Sequence, residues 1–95
     1  MSAAAALVIK ALLELLKDAD WLVDIEREDL ETPAGAERRM RVHLRLERDG
    51  SARRGEGEGS PERAFWSAFW GVVFGCDEVT QLELRDLWLK ACGVG

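Results

Sequence analysis

The chain has 95 residues, 47% of them hydrophobic and 33% charged, and a formal net charge of −5. That length suits one small domain with a single core, and the balance is that of a globular protein rather than a disordered one. A net negative charge argues against non-specific nucleic-acid binding, which needs a basic footprint, and two cysteines make no disulfide framework.

Ser2 is a good N-cap, and the alanines that follow it are strong helix formers. Lys10, Glu14 and Lys17 are the only charges between Ala3 and Lys17, and they share one narrow stripe. The remaining circumference is apolar, which predicts a helix buried on most sides, either in the core or against a second copy of the chain. The segment lacks a basic start, and its charges interrupt the run of roughly 20 apolar residues that a membrane span requires. A cytoplasmic protein without membrane contact is expected.

Two segments then alternate with period two. Trp21, Val23 and Ile25 oppose Asp24, Glu26 and Glu28; Met40, Val42, Leu44 and Leu46 oppose Arg39, Arg41, His43 and Arg45. Such alternation predicts an antiparallel hairpin with one dry and one solvated face, turning at Pro33 and Gly35. A register that sets Val23 against Leu46 also sets Asp24, Glu26 and Glu28 against Arg45, His43 and Arg41. Opposite charges facing one another across a strand pair are stabilising. A shift of two residues one way sets Asp24 against Glu47 and is repulsive. The opposite shift also pairs unlike charges and stays open.

Residues 49–60 mix glycine with charge and hold no apolar side chain larger than Ala52. They are expected to form a flexible Gly/charged loop, with Arg53 and Arg54 available to an acidic partner. Ser60-Pro61-Glu62 announces a helix. On it Phe65, Trp66, Phe69, Trp70, Val72, Val73 and Phe74 fill a broad arc, and Ser67, Gly71 and Gly75 a smooth strip. The arc is expected to pack on the hairpin and the strip to meet another helix. In the last segment Thr80 and Glu83 form a capping box and Gly93 a natural stop, predicting a second C-terminal helix. Residues 79–85 also alternate well enough to be read as a third strand.

The expected fold is therefore one α+β domain over 1–95: an N-terminal helix, a hairpin, and two C-terminal helices on one sheet face (αββαα, with αβββα as the alternative). Candidate chemistry is sparse. His43 beside Glu26 makes a general-base pair without a nucleophile. Cys76 lacks a neighbouring base and has Asp77 next to it. Both cysteines, Cys76 and Cys92, read as reduced packing thiols, with a Cys76–Cys92 bridge as the alternative. No ligand spacing for a metal and no phosphate-binding glycine motif is present, so no enzyme and no cofactor is expected.

The reading that remains is a small, non-enzymatic protein-interaction module (an adaptor, chaperone-like or inhibitory protein) that forms a homodimer. Trp66, Phe69, Trp70 and Trp88 are expected to divide between core and interface. Arg41, Arg45, Arg53 and Arg54 supply complementary charge at the rim. Alternatives are a small-molecule pocket between the aromatic helix and the hairpin, with Ser67 or Thr80 as its polar groups, and an acidic inhibitor occupying a nucleic-acid-binding site.

Overall fold

The computed structural model describes residues 2–93. In chain order these form α1 (Ala3–Asp18), β1 (Leu22–Leu30), β2 (Arg39–Arg48), β3 (Ser51–Gly59), α2 (Pro61–Phe74) and α3 (Glu78–Ala91). The fold is α+β: one antiparallel sheet of order β1-β2-β3 with the helices on one face. The Oγ atoms of Ser2 and Ser60 cap α1 and α2, accepting from the N–H groups of Ala5 at 3.1 Å and Arg63 at 3.3 Å. α3 starts before the expected Thr80 cap, because Asp77 accepts from the Thr80 N–H at 2.9 Å. A carboxylate there also faces the positive end of the helix dipole, with Glu78 beside it.

The β1–β2 register sets Val23 against Leu46, Ile25 against Leu44, Asp24 against Arg45, Glu26 against His43 and Glu28 against Arg41. Met40, Val42, Leu44 and Leu46 are buried beneath the helices.

The expected flexible loop at 49–60 is a correction, for Ser51–Gly59 is the third strand. Asp49 and Gly50 have φ of 54° and 78°, the pattern of a two-residue type I′ turn that returns the chain directly beside β2. Alternation continues through β3 with glycine in the apolar role. Gly55, Gly57 and Gly59 lie opposite Leu44, Val42 and Met40, while Glu56 and Glu58 lie opposite His43 and Arg41. Glycine is needed because α2 rests on the strand backbone. A Cβ at residue 55 would stand 2.0 Å from the Ala68 carbonyl oxygen, and one at residue 57 would stand 2.0 Å from that of Ala64.

The two sides of α2 are only partly as expected. Phe65, Phe69, Val72 and Val73 are buried with the hairpin's dry face, but Trp66 and Trp70 are half-buried and Phe74 is exposed. The Ser67/Gly71 strip meets a strand rather than a helix: a Cβ on Gly71 would have the Gly55 Cα as its nearest neighbour, at 3.5 Å. α1 is covered on one side only. Ile9, Leu12 and Leu16 are buried, whereas Leu7 is 66% exposed. Among the described residues α3 and then β1 lie most closely against it.

One ionic knot ties α3 to the far end of the sheet. Arg48 donates from both Nη atoms to the Glu83 carboxylate at 2.5 and 2.6 Å, and also to the Ala19 carbonyl at 3.2 Å. Its guanidinium lies 4.1 Å from the centre of the Trp21 ring, a cation–π contact. The Trp21 indole N–H points to the same carboxylate at 3.4 Å. Among the described residues no helix is long and apolar enough to cross a membrane.

Replacing Gly57 with alanine is expected to cost about 2–3 kcal/mol of stability, as for overpacking against atoms that cannot move aside. The shift of the urea midpoint at unchanged m-value measures it. The Arg48 hydrogen bonds hold the Glu83 carboxyl below its ordinary 4.5, against the upward push of burial. A depressed acid contributes stability that is present above 4.5 and is lost as pH falls through the folded value. Glu83→Gln is therefore expected to flatten the acid limb of a Tm-against-pH profile, and to cost about 1–2 kcal/mol at neutral pH.

Candidate protein-docking site

Trp66 and Trp70 are four apart on α2 and so lie on one face. Trp88 reaches them from α3, its ring 5.2 Å from that of Trp70 and nearly perpendicular at 73°. The indoles are held from beneath. Phe65 meets Trp66 edge-on at 5.0 Å, and Phe69 meets Trp70 at 5.2 Å. These are the edge-to-face geometries that aromatic quadrupoles favour, and they fix the half-buried rings in place.

Facing them is the start of α1. Ala4, Ala5 and Val8 form the opposite wall of an open groove of about 440 Å³, with Ser2, Glu62 and Cys92 also lining it. Glu62 is its one charged lining residue. The indole N–H groups of Trp66, Trp70 and Trp88 donate to no described residue, in contrast to that of Trp21. The arrangement is a fixed apolar trough with free donors and an acid at its edge. It can seat apolar side chains.

The eight residues singled out from the sequence do not form one surface. Trp66, Trp70 and Trp88 come together in the groove, but Phe69 is fully buried and belongs to the core. Arg41, Arg45 and Arg54 lie on the open face of the sheet, with the whole sheet between them and the groove. Arg53 and Arg54 point to opposite faces because they occupy successive positions of a strand. Arg53 lines a shallow pocket with Trp21, Cys76, Asp77 and Thr80. The expected charged rim around an aromatic patch is therefore not built.

The open face is a lattice of three columns. Arg41 sits between Glu28 at 3.4 Å, Glu56 at 3.3 Å and Glu58 at 3.2 Å. His43 Nδ1 lies 3.8 Å from Glu56, the carboxylate on its other side from Glu26. Arg45 turns along its own strand to Glu47 and leaves Arg54, directly across from it, against a like charge. A shallow depression there is lined by Asp24, Glu26, His43, Arg45, Arg54 and Glu56. The acids of β1 and Glu56 and Glu58 of β3 flank the basic run of β2, so opposite charges face one another across most of the sheet.

The pocket expected between aromatic helix and hairpin is filled over most of its length by Phe65, Phe69, Val72 and the buried face of β2. Ser67 and Thr80 lie outside the groove. Both thiols are free. The Cys76 Sγ sits 3.2 Å from the Val72 carbonyl, and burial pushes its pKa up, with Arg53 opposing and Asp77 adding to the rise. Cys92 stands exposed at the groove. The wall on α1 was not legible as a site from residue type, since alanines there read as helix formers alone.

Thiol reagents are expected to modify Cys92 well before Cys76, a difference that mass spectrometry of a brief labelling reaction resolves. The chain matches no model of a known protein family, no curated protein and no solved structure.

Proposed function

We propose that this chain is a non-enzymatic protein-interaction module that works in a cytoplasmic setting, self-associates, and docks a partner protein's helix in the tryptophan groove. The observation that carries the reading is the groove itself: three fixed, half-exposed indoles opposite a wall of small α1 residues. Tryptophan is the side chain most enriched among residues that dominate binding energy. An amphipathic helix laid in such a trough presents apolar anchors at helical spacing. A basic residue at one end of that helix complements Glu62. The exposure of Leu7, three residues beyond Ala4 on α1, extends the same apolar wall.

A second reading, an apolar small molecule in the same groove, is favoured by its volume of about 440 Å³, within the usual range of about 300–1,000 Å³ for ligand sites. Tryptophan fluorescence read together with sedimentation separates the two, because a small apolar ligand shifts the emission without adding protein mass.

The test is recovery of a partner from the source cell, followed by titration with that partner purified. Trp66→Ala/Trp70→Ala is expected to weaken binding by about 30-fold or more, the scale of an interface hot spot. Ala4→Glu on the exposed wall is expected to weaken it without altering the fold. Bound partner is expected to shield Cys92 from thiol reagents. Full affinity in both variants, with Cys92 still open to reagent in the complex, would remove the groove from the function.

A further inference from the structure

The outer edge of β3 has a form that a second copy of the chain completes. The type I′ turn closes on the Arg48–Ser51 pair, so the hydrogen-bonded positions of β3 are Ser51, Arg53, Gly55, Gly57 and Gly59. The N–H and C=O groups of Ala52, Arg54, Glu56 and Glu58 then point away from the sheet. Nothing on α2 hangs over them, because the helix positions above that edge are the exposed Ser67 and Gly71. Arg54 faces Arg45 and makes no ion pair with a described residue.

We propose that β3 pairs antiparallel with β3 of a second copy, about a two-fold axis at Gly55, joining two three-stranded sheets into one. Only even registers bring the outward backbone groups of both strands together. Pairing about Arg54 opposes arginine to arginine, and pairing about Glu56 or Gly57 opposes glutamates. The axis at Gly55 sets Arg54 against the partner's Glu56 twice, with no like pair across the seam. That gives Arg54 a carboxylate, which it lacks among the described residues. β1, the other edge, is excluded from such pairing, since Asp24, Glu26 and Glu28 then face one another. Pairing β1 with β3 is head-to-tail and gives a ring or a filament rather than a two-fold dimer.

The helices fit the same axis. Paired strands lie ~4.8 Å apart, while helices with ordinary side chains pack about 8–10 Å apart. Because α2 rests on β3, joining the strands brings two α2 helices closer than large side chains permit. The strip that faces the axis is Ser67, Gly71 and Gly75, with Gly71 directly beside Gly55. Phe74, 74% exposed and next to Gly71 on the helix surface, then has the partner's small strip to cover it. The seam rests on the self-associating part of the reading above but leaves the tryptophan groove free.

The test is sedimentation of the intact protein over a dilution series. The wild type is expected to form a dimer that dissociates on dilution. Arg54→Glu and Glu56→Arg, each alone, are expected to raise the dimer dissociation constant by about tenfold or more, since each reversal creates two like pairs. Mixed one to one, the two variants are expected to form a heterodimer, because each seam pair then unites unlike charges again. Gly71→Leu, whose Cβ has ordinary room, is expected to give a monomer of unchanged circular dichroism. A wild type that stays monomeric at every concentration overturns the proposal. So does a dimer that survives either charge reversal or Gly71→Leu, or a mixture that fails to associate. Ala4→Glu is expected to dimerise normally, which keeps failure of the seam distinct from failure of the groove.

Discussion

Backbone contact between α2 and β3 is the constraint on which the rest of the molecule depends. The helix lies so close that a single Cβ at residue 55 or 57 would stand 2.0 Å from a main-chain oxygen. That closeness lets the phenylalanines of α2 reach past β3 to the buried side chains of β2. It also leaves Trp66 and Trp70 too high on the helix to enter the core. They are left over for the groove by the same geometry that buries Phe65 and Phe69. In most sheets the residues beneath a helix contribute apolar area of their own. Here one strand contributes none, and the dispersion contacts come from peptide groups packed on peptide groups.

Much of this architecture is legible in the residues, and the exceptions have physical causes. The hairpin register follows from charge and apolarity together, because both faces of β1 and β2 carry recognisable side chains. The caps at Ser2 and Ser60 are equally plain. β3 is hidden because a search for alternating hydrophobicity cannot count glycine as an inward residue. Yet GEGEG alternates perfectly once glycine is taken as the residue a close helix demands. For the same reason the Ser67/Gly71 strip reads by residue type as a helix contact, whereas Gly71 lies beside Gly55 of β3. Long-range polar contacts such as Arg48 with Glu83 leave no local trace, since nothing in either neighbourhood specifies the other.

The candidate site was legible by composition and not by assembly. Tryptophan clustering pointed to the right side chains, three of which do meet. Arg41 and Arg45 stay on the solvated face of β2, and the strand nature of residues 51–59 sends Arg53 and Arg54 to opposite faces of the sheet. A sheet with all its helices on one side separates an aromatic surface from an ionic one, so the chain offers two chemically different faces and two different edges. The acidic edge of β1 repels its own copy, whereas β3 carries both signs.

The glycines of β3 have a further consequence for how the domain opens. Glycine loses more backbone entropy on folding than any other residue, so a strand with glycine at alternate positions is poorly held by its own ladder to β2. Its order is maintained by the helix lying on it. α2 and β3 therefore form one cooperative unit, the helix lacking a floor without the strand and the strand lacking a reason to stay extended without the helix. Opening of that unit leaves the β1–β2 hairpin and α1 as a smaller remnant. Opening it parts α2 from the buried side chains of β2 as well as β3 from its ladder, so those two seams give way together.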